Sequence, residues 1–473
     1  MTELKGRRWR QAIRKVASLK IAVAIIIWLA VVTAWGTIVE AQYDAFAAKK
    51  LVYDTWWMYL PLSALCLSLT AVMVDRWPWK PRHLGFIMAH IGIITLLVGA
   101  WITSRFGVDG SISLGPGESQ GSVSVGETDL VVYSSMDGQS YRPLYNQEVD
   151  FFTLPAQDNP VSIPIPEGEI RVVESMNYGM RDSQFVASKE ESSGAAVRLQ
   201  LENANVNLTQ WVLQPSRSTS ETRDLGPAQI SIVPEFPRSF GGRNAILFKP
   251  IGPRELGYEI HSAKTGSVKR GRLTAGAEVE TGWMGLKLRV LKYFYQAKEE
   301  IRYKPLSRPS ELTSQAIRIE YRTPGSAELK SQWMGLGSLL KLYSDDQVYV
   351  LSFANRKIPM GFKVKLKDFR VGRYQGTVRA ASYESLVEVP EAGEALISMN
   401  EPLKHGGFTF YQASFNSDDA GRPVASILSV NWDPGRGIKY LGSALIVLGT
   451  MHLFYLKRRS WLKTAETEQT ANG

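Results

Sequence analysis

The chain has 473 residues, of which 44% are hydrophobic, 21% charged and 10% aromatic, an average composition typical of a soluble protein of two or three domains. Four uncharged stretches of 17 to 21 residues depart from that average, and each is long enough to cross a bilayer as a helix. They exclude a soluble enzyme. The stretches are residues 21–39, 55–74, 84–104 and 440–456.

The net charge of +10 is located almost entirely in three short segments. After their own acidic residues are subtracted, segments 1–16, 75–83 and 457–473 carry +9, which leaves about +1 for the rest of the chain. An excess of Lys and Arg beside membrane helices marks their cytoplasmic ends. The basic residues therefore predict topology, and they exclude a nucleic-acid-binding patch.

Together these features predict a membrane protein with four transmembrane α-helices, three before and one after a large extracytoplasmic domain. Both termini are expected in the cytoplasm, in a cytoplasmic (inner) membrane or, for a plastid protein, with the large domain in the thylakoid lumen. The predicted order is a basic N-terminus (1–16), three helices (about 17–39, 55–74 and 84–104), the external domain (105–437), a fourth helix (438–456) and a tail (457–473).

The long region between the third and fourth helices has the pattern of an all-β domain. Apolar and polar residues alternate over 169–173, 286–290 and 362–366, and Gly and Pro residues separate such runs. This pattern predicts short strands in a sandwich or barrel-like fold. A break near 241–253 suggests that the domain has two halves.

The single cysteine, Cys66, lies inside the second predicted helix, so the external domain contains none. There is no C-x-x-C and no C-x-x-C-H, which excludes thiol–disulfide exchange and covalent haem attachment as chemistry of this chain. The sequence also lacks a nucleophile elbow, a phosphate-binding loop and H-E-x-x-H. We therefore expect no hydrolytic or phosphoryl-transfer site.

Two of the five histidines, His90 and His452, lie inside predicted transmembrane helices, where ionisable residues are functional candidates. Counted from the cytoplasmic ends of their helices, they lie about 9 Å and about 6 Å deep. Two imidazoles at one depth could bind the iron of a b-type haem. The structural alternatives are a hydrogen bond to a neighbouring helix for His90 and an interfacial position for His452.

The other three histidines are weaker candidates. His83 lies in a basic turn and is expected at the membrane interface, and His261 lies in a polar strand and is expected to be solvated. His405 precedes two glycines and an aromatic run, a pattern that indicates a turn into a core strand rather than a catalytic site.

Several short motifs resemble the ResB family, also called CcsB, of cytochrome c biogenesis System II. They include Tyr53-Asp-Thr-Trp-Trp before the second helix, His90-Ile-Gly in the third, and Gly110-Ser-Ile-Ser-Leu-Gly-Pro-Gly-Glu after it. The most specific motif begins at Pro402-Leu403 and continues with Phe408-Thr-Phe-Tyr-Gln-Ala-Ser. It includes Tyr411 and Gln412, and we assign no role to its residues.

The resemblance implies that the protein pairs with a CcsA/ResC-type membrane protein to export haem b and attach it to apocytochrome c. In that family a third-helix histidine is thought to ligate haem iron near the cytoplasmic side, with the opposite ligand from the partner, and His90 matches that position. The partner's tryptophan-rich motif is missing here, since Trp432-Asp433 is a bare dipeptide. The chain would then be a half-site component without catalytic residues of its own, and His452 matches no family ligand.

Two alternatives belong to other functional classes. The protein could be a b-type haem electron-transfer subunit that holds its haem between His90 and His452. It could also be a membrane-anchored scaffold without cofactor, in which His90 is structural.

Overall fold

The computed structural model describes most of the chain, and all structural statements below concern this part. The predicted tail 457–473 lies outside it, as do Gly241 and Gly242 of the suggested internal break. The described residues are 2–166, 168–224, 228–237, 243–322, 328–343, 347–376, 380–390, 392–418 and 422–456.

Four helices of the described chain are long and apolar enough to cross a membrane, as judged by length and composition. The sequence-based prediction of four long apolar helices is therefore confirmed. The helices are α1 Thr2–Val16, α2 Leu19–Gln42, α3 Ala45–Ala48 followed by a π turn Lys49–Tyr53, α4 Trp56–Asp75, α5 Leu84–Phe106 after a 3-10 turn Pro81–His83, and α6 Arg436–Met451 followed by a π turn His452–Leu456.

Local contacts explain where the long helices begin and end. The Ser18 hydroxyl accepts a hydrogen bond from the Ile21 backbone N–H (3.4 Å), which caps the start of α2. Gly107 is extended and ends α5. The basic N-terminal segment, for which the sequence predicted no secondary structure, forms α1 and packs on α4, where the Ser68 hydroxyl donates to the Val16 carbonyl (3.1 Å).

The region between α5 and α6 is all-β, as predicted, and within the described residues its strands form four sheets. The 10-stranded sheet has the order β21-β20-β19-β2-β1-β24-β23-β22, with β18 and β3 added at β19 and β2. Its strands are β1 Val108–Leu114, β2 Ser119–Ser135, β3 Arg142–Val149, β18 Ser338–Tyr343, β19 Val348–Arg373, β20 Ala380–Val389, β21 Gly393–Ser398, β22 Leu403–His405, β23 Phe408–Ser417 and β24 Pro423–Trp432.

The other three sheets are smaller. One has the order β15-β5-β16-β17 with β4 on β5, another β12-β11-β10-β9-β8, and the last β13-β14-β6-β7. Their strands are β4 Val161–Ile165, β5 Gly168–Ala187, β6 Ala196–Glu202, β7 Asn207–Leu213, β8 Glu221–Asp224, β9 Gln229–Ile232, β10 Ala245–Gly252, β11 Glu255–His261, β12 Val268–Leu273, β13 Glu278–Glu280, β14 Lys287–Phe294, β15 Ala297–Pro305, β16 Thr313–Arg322 and β17 Leu329–Gly335.

Three hydrophobic cores fill the spaces between these sheets. One lies between the β8–β12 sheet and the β13-β14-β6-β7 sheet, which together form a sandwich. A second joins the β5 sheet to β2, β18 and β19, and a third, with Phe410 fully buried, lies within the 10-stranded sheet. The suggested division of the domain near 241–253 stays a prediction. Pro253 itself lies in the turn between β10 and β11.

The loop between α2 and α4 packs directly on the β region. The Phe46 ring lies over Gly126 of β2 and meets Phe152 edge-on, with ring centroids 5.8 Å apart. The Lys50 ammonium forms an ion pair with Asp150 (3.0 Å). These contacts place the C-terminal end of α2 and the N-terminal end of α4 beside the β region, where α5 also ends and α6 begins.

Candidate functional site

The packing of α5 on α6 is set by three glycines of α5 that face two glycines of α6 and the glycine at its N-cap. Gly85, Gly92 and Gly99 are spaced seven residues apart, and a Cβ added to each would lie 2.7, 2.8 and 3.1 Å from a carbonyl oxygen of α6 or its N-cap residue. Side chains at these positions would keep the two backbones apart, as at other close helix crossings in membranes. The three carbonyls belong to Gly449, Gly442 and Gly435, in that order.

His90 lies on the side of α5 that faces away from α6. It follows Gly85 by five residues and precedes Gly92 by two, so its direction differs from theirs by about 140° and 160° at 100° per residue. The imidazole is half-buried, and its ring lies 3.8 Å from that of Phe86, one turn earlier in the helix. The histidine is therefore directed away from the one helix with which α5 forms its closest contact.

A hydrogen bond within α5 fixes which nitrogen of His90 is available. Nδ1 lies 2.8 Å from the Phe86 carbonyl oxygen, which can only accept, so Nδ1 carries the proton. In a neutral imidazole the other nitrogen, Nε2, then has its lone pair free. A hydrogen bond from the other ring nitrogen to a carbonyl is the usual way in which a protein orients a metal-binding histidine.

His452 does not face His90. Its Nδ1 lies 2.8 Å from the position that a Cβ of Gly85 would occupy, so it packs on the α6-facing side of α5. His90 is five residues further along α5, about 7.5 Å away along the axis and on the opposite side. The expectation that the two imidazoles meet at one depth is therefore wrong. The glycine pairs set the register of α6 so that His452 lies beside Gly85, nearer the N-terminal end of α5 than His90.

A cavity of 520 Å³ lies between α4 and α5, on the half of the helices nearer the β region. Its wall is mainly apolar and includes Leu62, Leu97 and Trp101, while Tyr59 and Ser104 contribute hydroxyls whose oxygens are 3.2 Å apart. Leu97 and Trp101 follow His90 by seven and eleven residues and lie within about 20° of its direction on α5. His90 and the cavity thus share one face of the helix.

The motif that begins at Pro402 lies beside the helix ends. In the sheet Phe408 pairs with Trp432, and Trp432 with Val108, which follows α5 directly. Between β22 and β23, Gly406 (φ 57°) and Gly407 (φ 84°) form a two-residue turn that only glycine adopts without strain.

Most motif side chains support the fold. Leu403, Phe408 and Phe410 pack in the core of the 10-stranded sheet. Gln412 of β23 is buried and hydrogen-bonds the hydroxyls of Ser385 (2.6 Å) on β20 and Ser426 (3.1 Å) on β24. Tyr411 is exposed on the opposite face.

The remaining histidines have local partners. His83 caps the turn before α5 through a hydrogen bond from the Lys80 backbone N–H (3.4 Å). His405 meets the Phe362 ring edge-on at 4.7 Å, in agreement with the predicted turn into a core strand. The expectation of a solvated His261 is wrong: its side chain is 12% exposed and lies 3.1 Å from the buried carboxylate of Glu259. The described residues include no cluster of three or more His, Cys, Asp or Glu side chains able to hold a metal ion.

Comparison with known proteins identifies the motif region. The model of the ResB-like family matches residues 344–425, which run from the start of β19 into β24 and include the whole Pro402 motif. Over these residues the chain is similar to the ResB-like family. The match therefore covers β19 to β23 of the 10-stranded sheet and the first residues of β24.

One relative supports this assignment over a longer part of the chain. Protein NrfI of Wolinella succinogenes is 24% identical over 436 residues, which are 90% of this chain. The aligned part is 33% of that protein, so the chain spans about a third of the length of the curated relative that it matches. The similarity therefore extends beyond the ResB-like match to the helices that precede the β region.

Sequence reasoning found His90 but missed its surroundings. Phe86 precedes His90 by four residues, a spacing that places both side chains on one helix face and could have identified the stack. Tyr59 and Ser104 at the cavity belong to different helices, and no local pattern relates them.

Proposed function

We propose that this protein takes part in cytochrome c biogenesis as the ResB-type subunit of the System II synthetase. In this proposal it holds haem at His90 and, with a CcsA/ResC-type partner, passes it outward for attachment to apocytochrome c. Haem is cargo, and its second axial ligand comes from the partner. This chain supplies binding and orientation, whereas the thioether chemistry takes place on the partner.

One observation carries the proposal: among the described residues Nε2 of His90 has no hydrogen-bond partner, and it lies on a helix face not used by α6. A histidine with only a structural role would be expected to direct both nitrogens to protein partners. A neutral imidazole with its Nδ1 proton engaged has the form that binds haem iron.

The four long helices are proposed to cross the membrane with both termini in the cytoplasm. The basic residues of α1 and of the α4–α5 turn support this orientation. So does the docking of the α2–α4 loop on the β region through Phe46 and Lys50, which brings that loop to the same side as the large domain. His90 then lies nearer the cytoplasmic side, and the α4–α5 cavity nearer the external side.

The alternative of an internal bis-histidine haem receives no support from the geometry, since His90 and His452 lie on opposite sides of α5. A cofactor-free scaffold remains the competing function. The two are separated by visible spectra of the purified protein, with and without a co-expressed CcsA/ResC-type partner. The variants are His90→Ala and, as the matched control, His452→Ala.

We expect a haem spectrum that needs the partner, is lost in His90→Ala and is retained in His452→Ala. External imidazole should restore the spectrum of His90→Gly, because it replaces the missing ligand without restoring the side chain. Haem bound without the partner and lost in both alanine variants would favour the electron carrier. A colourless wild-type complex would favour the scaffold.

A further inference from the structure

Three side chains from two helices form a stack beside the proposed haem position. The Arg76 guanidinium carbon lies 3.8 Å from the centre of the Phe86 ring, and that centre lies 3.8 Å from the centre of the His90 imidazole. The guanidinium carbon of Arg76 therefore lies no further than twice 3.8 Å from the centre of the His90 imidazole ring. Arg76 is the C-cap residue of α4, at the end of the bundle away from the β region.

The charge of Arg76 has no partner of opposite sign in the described part of the chain. The neighbouring carboxylate of Asp75 pairs instead with Arg14 of α1 (3.3 Å). No hydrogen bond or ion pair of Arg76 is found among the described residues. Stacking on Phe86 uses the flat face of the guanidinium and leaves the N–H groups at its edge free to donate.

We propose that Arg76 binds a propionate carboxylate of the porphyrin held at His90. This inference rests on the proposed function and adds the residue that orients the cargo. Arginine binds a carboxylate through two parallel N–H donors, a geometry that lysine does not reproduce. The propionates are the only charged groups at the porphyrin edge, and burying them in hydrocarbon without a partner is costly.

The position of Arg76 determines how the porphyrin would lie. With iron on His90 and a propionate on Arg76, the charged edge faces the end of α4 and the apolar edges face the bilayer interior. Phe86 acts as a spacer, because it contacts both the ligand histidine and the arginine. Cargo with the opposite orientation would place its carboxylates among apolar side chains.

The same turn offers a matched control. Arg82 carries the same charge, six residues later, but its Nε contacts the His83 ring (3.3 Å) and not the Phe86–His90 stack. A general loss of positive charge at this end of the bundle would affect both arginines equally. A specific propionate contact involves Arg76 alone.

The experiment titrates the full-length protein, co-purified with its CcsA/ResC-type partner, with ferric haem and with haem dimethyl ester, which lacks the carboxylate charges. The variants are Arg76→Leu, Arg76→Lys, Arg82→Leu and His90→Ala, with binding followed in the visible spectrum. We expect Arg76→Leu to weaken haem binding by about tenfold to a hundredfold, the range for a lost hydrogen-bonded charge, and to leave ester binding unchanged. Arg76→Lys should show a smaller loss, and Arg82→Leu should match wild type.

Equal weakening of both porphyrins by Arg76→Leu and Arg76→Lys would overturn the inference, because it would indicate a packing role. Unchanged binding of both would also overturn it, because Arg76 would then make no energetic contact with the carboxylate. His90→Ala distinguishes these results from failure of the proposed function. If His90→Ala binds both porphyrins as wild type does, the His90 site itself is wrong. If His90→Ala loses binding while the Arg76 variants bind as wild type does, only the propionate contact is rejected.

Discussion

Gly92 of α5 faces Gly442 of α6 so closely that a Cβ on Gly92 would lie 2.8 Å from the Gly442 carbonyl oxygen. Two of the three nearest atoms on the α6 side, the Gly442 carbonyl oxygen and the Ile446 backbone nitrogen, belong to the backbone and cannot move aside as a flexible side chain would. The α5–α6 contact therefore depends on the absence of a side chain at this point.

Gly92→Ala should lower the stability of the full-length protein in detergent by about 1 to 3 kcal/mol, the usual effect of overpacking. The better helix propensity of alanine opposes this loss by less than about 1 kcal/mol. Gly437→Ala is the control, since a Cβ at Gly437 meets nothing within 4 Å. The measurement is the midpoint of thermal unfolding, and equal midpoints for the two variants would contradict the close contact.

The buried network around Gln412 gives a second prediction. Gln412→Ala removes the hydrogen bonds to Ser385 and Ser426, two fully buried residues, and leaves their hydroxyls with fewer partners. We expect a loss of about 1 to 3 kcal/mol in the free energy of unfolding. Tyr411→Ala, one residue away on the exposed face, should change it by less than about 0.5 kcal/mol. Near-ultraviolet circular dichroism during denaturation measures both, and comparable losses would argue against a structural role specific to Gln412.

Acid should weaken the docking of the α2–α4 loop on the β region. Burial alone would raise the pKa of Asp150, but the hydrogen bond and charge of Lys50 outweigh it and hold the pKa below its ordinary value. The pair therefore stabilises the folded state above the unfolded-state pKa of about 3.9, and this contribution is lost as the pH falls through the folded-state pKa. Wild type should exceed Asp150→Asn in unfolding midpoint at pH 5 to 7, and the difference should shrink below about pH 4. Asp158→Asn, an exposed neighbour, is the control, and a pH-independent difference would contradict the prediction.

Asp433 connects the end of α5 to the start of α6. Its carboxylate accepts hydrogen bonds from the Thr103 hydroxyl (2.6 Å) and the Lys439 ammonium (2.7 Å). A double-mutant cycle of Thr103→Val and Asp433→Asn should give a coupling energy of about 0.5 to 3 kcal/mol in thermal unfolding. The Thr33 hydroxyl bonds only carbonyls of its own helix, so Thr33→Val should show no coupling with Asp433→Asn. Additive effects of Thr103→Val and Asp433→Asn would contradict the contact.

The sequence predicted those features that depend on local pattern. Uncharged runs located the four long apolar helices. Alternation identified the strands at 169–173, 286–290 and 362–366, which lie in β5, β14 and β19 and pair in three different sheets. Which strands are neighbours, and where the cores form, depends on contacts between distant segments and was not predictable from one sequence.

The candidate site shows the same limit. His90 was recognisable because an imidazole in an apolar helix is exceptional, but its relation to His452 depends on the register of α5 against α6. The seven-residue spacing of Gly85, Gly92 and Gly99 contained that information, and the apolar runs did not. His261 was misjudged because its burial depends on Glu259 within a folded sheet.

The pairing of α5 with α6 continues without interruption into the pairing of β1 with β24. Gly99 meets Gly435 at the end of the helices nearer the β region. Beyond this contact Val108 pairs with Trp432, and six more residue pairs follow, up to Leu114 with Ser426. A slide of one helix along the other by a single residue would shift every one of these strand pairs and turn core side chains outward. The register of the helix pair and the register of the strand pair are therefore linked, and neither can change without the other.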